Sequence, residues 1–137
     1  MKKAIFLILA LNLLFSCGRG GNSEKDIKKY EETKEKLAER EKENPLNFLI
    51  VVADNKKNLI GQTVVKGVIE NKASVASYKK VRVKLLYFKQ GALVTNHEEV
   101  YDEVIRPNHR YEFKAKYFTP KGTDSVAASI MSAEVVK

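Results

Sequence analysis

The sequence predicts an all-β protein, an antiparallel β-sandwich of six to seven strands, preceded by a leader and a charged spacer. Three observations predict it. Beyond Pro45, charge runs give way to short apolar runs rich in β-branched and aromatic residues, and the hydropathy period changes to two. Turn-forming clusters separate these runs at fairly regular intervals, as in sandwiches. Cys17 is the single cysteine of the 137-residue chain, so the core has no internal disulfide, which a domain of about 90 residues can do without.

At the N-terminus, Lys2 and Lys3 precede an apolar run from Ala4 to Phe15, followed by Ser16 and Cys17. The run is shorter than the ~20 residues that cross a bilayer as a helix, and the order matches the charged, apolar and small-residue regions of a secretory signal. Leu14-Phe15-Ser16-Cys17 resembles the bacterial lipobox, with an aliphatic residue three before the cysteine and a small one just before it. That resemblance implies a diacylglyceryl group on the Cys17 thiol and cleavage after Ser16. The alternative is an ordinary cleaved signal with an incidental cysteine. The expected division is a signal peptide over 1–16, a lipidated cysteine with hinge and spacer over 17–45, and a β-sandwich over 46–137.

Gly18-Arg19-Gly20-Gly21-Asn22 reads as a flexible hinge. Ser23 is placed to cap a helix whose first turn holds Glu24 and Asp26, near the positive end of the dipole. Nearly every residue from there to Asn44 is charged, and Ile27, Tyr30 and Leu37 share one side with Lys34 and Glu41. Three apolar positions are too few for a coiled coil. Two readings stand: a helical stalk of about 30 Å, or a partly disordered charge run. Pro45 ends the segment in either case.

The chain carries 25 basic and 17 acidic residues, and removing Lys2 and Lys3 leaves 23 against 17. Residues 18–45 are neutral, with eight of each sign, so the surplus of six lies in residues 46–137, with fifteen basic and nine acidic. Such a surplus favours anionic surfaces in general. Export argues against nucleic acid.

The strand segments follow in order. Phe48 to Ala53 is continuously apolar, and Asp54 to Asn58 reads as a polar turn. Gln62 to Asn71 places Val65, Gly67 and Ile69 on one face and Lys66 and Glu70 on the other. Tyr78 to Phe88 alternates most clearly, with Val81, Val83, Leu85 and Tyr87 inward and Lys80, Arg82 and Lys84 outward. Asn96 to Ile105 keeps neither phase, which suggests a bulge or an edge strand. Arg110 to Phe118 turns Tyr111, Phe113, Ala115 and Tyr117 inward. Ser125 to Val136 fits helical spacing as well, but a strand is preferred because the sandwich still has an edge to fill.

Gly67-Val68-Ile69-Glu70-Asn71, the alternating Tyr78 to Tyr87, Gly91, Arg106-Pro107-Asn108 and Tyr111-Glu112-Phe113 together resemble the small immunoglobulin-like domains of bacterial envelope proteins known as FxLYD-type. The resemblance covers about residues 60–137. Phe88 stands where that family has an aspartate, and Lys84 where it has its first phenylalanine. It implies an immunoglobulin-like sandwich in an exported lipoprotein, and no catalytic residues.

For chemistry, the histidines are His97 and His109, both beside turns and both expected to be solvent-exposed, so no metal site, catalytic residue or cofactor is assigned. Asp102 and Glu103 are adjacent and point to opposite faces of a strand, a poor acid–base pair. If the strands bearing Lys80, Arg82 and Lys84 and those bearing Lys114 and Lys116 are neighbours, five positive charges gather on one sheet face as a candidate anion or partner site. The expectation is a non-catalytic binding or structural module held in the bacterial cell envelope through Cys17. The outer membrane is favoured where there are two, and the partner is an envelope protein or an anionic glycan. The alternatives are a small hydrolase or metal-dependent enzyme built around His97 or His109, and an accessory subunit of a larger envelope complex.

Overall fold

The structure, a computed structural model, describes residues 23–137. The expected signal peptide, Cys17 and the glycine hinge lie outside the described residues. Helix α1 spans Ser23–Glu43, with Glu24 and Asp26 in its first turn and Arg40 and Lys42 in its last, each sign at the dipole end that favours it. The spacer is therefore helical, and its 21 residues measure about 31 Å at 1.5 Å per residue. Pro45 stops it: a single 3-10 turn, Pro45–Asn47, redirects the chain into the first strand. No helix among the described residues is long and apolar enough to cross a membrane.

Six strands follow: β1 Leu49–Lys57, β2 Thr63–Asn71, β3 Tyr78–Lys89, β4 Ala92–Tyr101, β5 Arg110–Tyr117 and β6 Ser125–Val135. They form two antiparallel three-stranded sheets, ordered β1-β2-β5 and β4-β3-β6. Packed face to face they make the all-β sandwich, in the order of strands A-B-E and C′-C-F of an immunoglobulin-like domain. Strand β1 runs alongside β6 and closes one side.

The central strand β3 supplies much of the core. Tyr78, Val81, Val83, Leu85 and Tyr87 are fully buried against Val65 and Ile69 of β2 and Phe113 and Ala115 of β5. Tyr78 and Val81 are three apart yet face the same way because Lys80 takes a positive φ of 47° and the β3–β6 register shifts there. This bulge restores the phase of the remaining strand. Gly67 stands opposite Phe113 across the β2–β5 pair, and a Cβ on Gly67 would lie 2.2 Å from the tip of the Phe113 ring. The ring occupies the volume that a side chain at 67 would need, which is why this strand interior carries a glycine.

Three sequence expectations are corrected. The polar stretch from Asp54 is not a turn: Asp54 to Lys57 continue β1 in register with Lys66 to Thr63, and the turn lies at residues 58–62. Alternation explains it, since Asp54 and Lys56 point to solvent while Asn55 is half-buried. The run expected over Asn96 to Ile105 begins earlier, at Ala92, and ends at Tyr101 as an edge strand with a register shift at Tyr87/Phe88. Finally, β3 and β5 belong to different sheets, since β4 and β6 occupy both edges of β3 while β5 pairs with β2. The last segment is a strand, β6, as preferred.

Candidate functional site

The five basic residues expected to form one patch are divided by this topology. Lys80, Arg82 and Lys84 lie on the second sheet, and Lys114 and Lys116 on the first. On β3 the charges have acidic neighbours. Lys80 pairs with Glu134 at 3.4 Å, Arg82 with Glu98 at 3.3 Å, and Lys84 stands in register with Glu98. That face is close to charge balance.

The first sheet differs. Its outward positions run in rows across β1, β2 and β5: Ile50, Glu70 and Arg110; Val52, Val68 and Glu112; Asp54, Lys66 and Lys114; Lys56, Val64 and Lys116. Glu70 is held by Lys72 and Arg110 at 2.8 and 3.4 Å, and the hydrogen bond from Lys72 together with the Arg110 charge keeps its carboxyl below the usual range. Beyond Val52 and Val68 the sign becomes positive. Lys56, Lys66, Lys114 and Lys116 are all exposed, with Asp54 the acidic residue among them. Lys66 and Lys114 are direct cross-strand partners, a like-charge placement that disfavours folding. Val52, Val68, Lys66, Lys114 and Glu112 line a shallow trough of about 710 Å³. Lys66 was legible as outward-facing, but nothing in the sequence placed it beside Lys114. Strand order, a long-range property, supplies that.

His109 lies beside a turn and is exposed, as expected, but His97 does not. His97 is in the middle of β4 and points between the sheets, its ring stacked on Tyr117 at 3.9 Å and edge-on to Tyr87 at 5.6 Å. Glu99 also faces inward and accepts a hydrogen bond from the Tyr117 hydroxyl. Tyr101 packs on Phe113 and Tyr111 and so ties β4 to β5. His109 is exposed, its Nδ1 2.8 Å from the Pro107 carbonyl. Among the described residues, no three His, Cys, Asp or Glu side chains are grouped to hold a metal ion.

Burial, with a smaller contribution from Glu41 at Tyr78 and Glu99 at Tyr87, pushes these two hydroxyls from the ordinary value near 10 up to about 12. Tyr101 is raised for the same first reason, with Glu99 adding to it. A raised folded-state value means that stability is complete below pH about 10 and falls as pH climbs through about 12. Each of these tyrosines is expected to steepen alkaline unfolding by ~1.4 kcal/mol per pH unit across that window. Tyrosinate absorbance followed alongside circular dichroism checks this. Ionisation of all the tyrosines well before loss of structure would contradict it.

A polar joint at the other end of the sandwich holds α1 in place. Glu41, 1% exposed, accepts from the backbone amides of Ser74, Val75 and Ala76 at 2.7, 2.8 and 2.7 Å, all in the β2–β3 connection. Its own carbonyl accepts from the Tyr78 hydroxyl at 2.7 Å. Glu41 was placed in the helix stripe from sequence, but its partners are backbone groups, which leave no side-chain signal.

No family model and no curated protein match the chain. Among solved structures, an X-ray structure of Northeast Structural Genomics Consortium target SoR45 is similar at 12% identity and a TM-score of 0.39, covering 66% of this chain and 87% of that one. A likeness at that level carries no argument about function.

Proposed function

We propose that the chain is a lipid-anchored, non-catalytic binding module of the bacterial cell envelope, attached through Cys17 and engaging an anionic envelope partner through the basic face of the first sheet. The observation that carries the binding site is the Lys66–Lys114 pair. Two lysines in register across β2 and β5, beside Lys56 and Lys116, work against the fold, and an anionic partner would relieve their repulsion. The lipobox-like Leu14-Phe15-Ser16-Cys17 and the similarity to FxLYD-type domains support the anchor and the envelope location. The docked helix fits a spacer, since it fixes the sandwich at the end of a stiff arm.

Two substitutions separate this reading from a merely solvated sheet face. Lys114→Glu is expected to stabilise the free protein by about 0.5 kcal/mol, because it turns the like-charge pair into an attractive one and leaves Lys66 opposite Asp54. With Lys66→Glu it is expected to lower crosslinking to the envelope partner in intact cells by roughly ten-fold, while Arg82→Glu has little effect. Crosslinking unchanged by the double substitution would refute the face. Fatty-acid labelling of Cys17→Ser tests the anchor separately, with loss of label expected and wild-type label sinking it.

A further inference from the structure

Three connections meet at the end of the sandwich opposite α1, and their apolar side chains point outward. They are the β1–β2 turn at 58–62, the β3–β4 turn at Gln90-Gly91, and the β5–β6 connection at 118–124. Hydrogen bonds make them one surface. Lys57 Nζ donates to Thr63 and Thr119 at 2.8 and 3.0 Å, and those two hydroxyls lie 2.6 Å apart. The Asp124 amide donates to the Phe88 carbonyl, and the Asp124 carboxylate accepts from the Gln90 amide, each at 2.9 Å.

On this surface Leu59 is fully exposed, and Ile60, Phe118 and Leu93 are 68%, 70% and 55% exposed. These are not side chains of a frayed loop. The Asn58 side-chain oxygen accepts from the amides of Ile60 and Gln62 at 3.2 and 2.9 Å, and Gly61 supplies the positive φ of 83° that closes the turn. A built turn that holds Leu59 and Ile60 in water forgoes the polar residues that normally occupy such a position.

The charge around these tips is one-sided. Residues 56–62, 89–93 and 116–124 hold five lysines and one acidic residue, Asp124, which is already bonded to Gln90. The opposite end, residues 41–48, 72–77 and 102–109, holds four acidic and three basic residues. Apolar tips ringed by lysines match the layering of an anionic bilayer surface, where acyl chains lie beneath phosphate. An acidic protein would be met by the lysines but gives no role to four separate apolar tips. We propose that this end of the sandwich docks on anionic phospholipid, with Leu59, Ile60, Leu93 and Phe118 entering the headgroup region. This is a second site, which shares Lys56 and Lys116 with the border of the Lys66–Lys114 face but rests on the apolar tips, and it does not depend on lipid at Cys17.

Residues 23–137, which contain every core and helix contact described above, allow the test without an anchor. Co-sedimentation uses vesicles of phosphatidylcholine alone and of equal parts phosphatidylcholine and phosphatidylglycerol. Binding is expected only with phosphatidylglycerol, weakened by salt and lowered roughly ten-fold by Leu59→Ser with Ile60→Ser. Because the chain has no tryptophan, Leu59→Trp adds a second readout, a blue shift of the only indole on mixing with those vesicles. No sedimentation, binding untouched by the tip substitutions, or binding lost instead through Lys66→Glu with Lys114→Glu would each overturn the proposal. So would dependence on Leu59 and Ile60 in crosslinking to one protein, without any affinity for vesicles.

Discussion

Asn71→Ala is expected to cost the fold about 4 kcal/mol, the largest loss from any single polar side chain in the sandwich. Asn71 is fully buried at the end of β2, where its Nδ2 donates to the carbonyls of Ala76 and Ile105, both at 2.9 Å. Its Oδ1 accepts from the Ala73 amide at 2.8 Å, and its backbone groups bond His109 and Asn108. One side chain thus organises the β2–β3 and β4–β5 connections together. Alanine leaves the Ala76 carbonyl and the Ala73 amide without their partner where water does not reach, and leaves the Ile105 carbonyl with the Tyr78 amide alone, so the penalty is desolvation as much as lost bonding. Asn71→Asp keeps the acceptor for Ala73 but turns oxygen toward two carbonyl oxygens, and is expected to be as damaging. Urea denaturation measures both. A loss under ~1 kcal/mol in each would mean that the connections hold without the amide.

Glu41→Ala is expected to free α1 from the sandwich at a local cost of about 3 kcal/mol, while the core stays folded. Three charge-assisted bonds to successive amides are the main joint, since Ile27 and Tyr30 are exposed and Leu37 is only half-buried. Once free, 21 residues of mostly charged sequence make a marginal isolated helix. Far-ultraviolet circular dichroism should lose helical signal, and the amides of Ser74, Val75 and Ala76 should lose exchange protection, while Val83 and Leu85 keep theirs. Glu41→Gln is expected to fall between, because its amide nitrogen faces a donor. Unchanged protection at 74–76 in Glu41→Ala would show that something else holds the joint.

The inward rows of β2, β3 and β5 were legible because each alternates an apolar residue with a charged one, a local pattern that names its own face. Legibility failed where the deciding partner is distant in sequence. Asp54 to Lys57 read as a turn because their polarity is local, whereas the pairing with Thr63 to Lys66 that makes them strand is not. His97 read as a surface residue because nothing nearby announces that Tyr117 will stack on its ring. The basic patch failed in the same way. The five basic residues of the expected patch were each assigned to the correct outward side, and the error lay only in which strands were neighbours. Lys114 found Lys66 opposite it and Lys116 shares a row with Lys56 across Val64, while Lys80 and Arg82 found acids.

The Glu41 joint also changes how far the sandwich ranges from whatever holds its N-terminal end. A disordered segment of 21 residues has a root-mean-square span of about 25 Å and lets its cargo fill the whole volume around the attachment point, including the region against it. A stiff arm of about 31 Å confines the same cargo to a shell. The effective concentration of its far-end loops is then low close to the attachment point and concentrated at one radius.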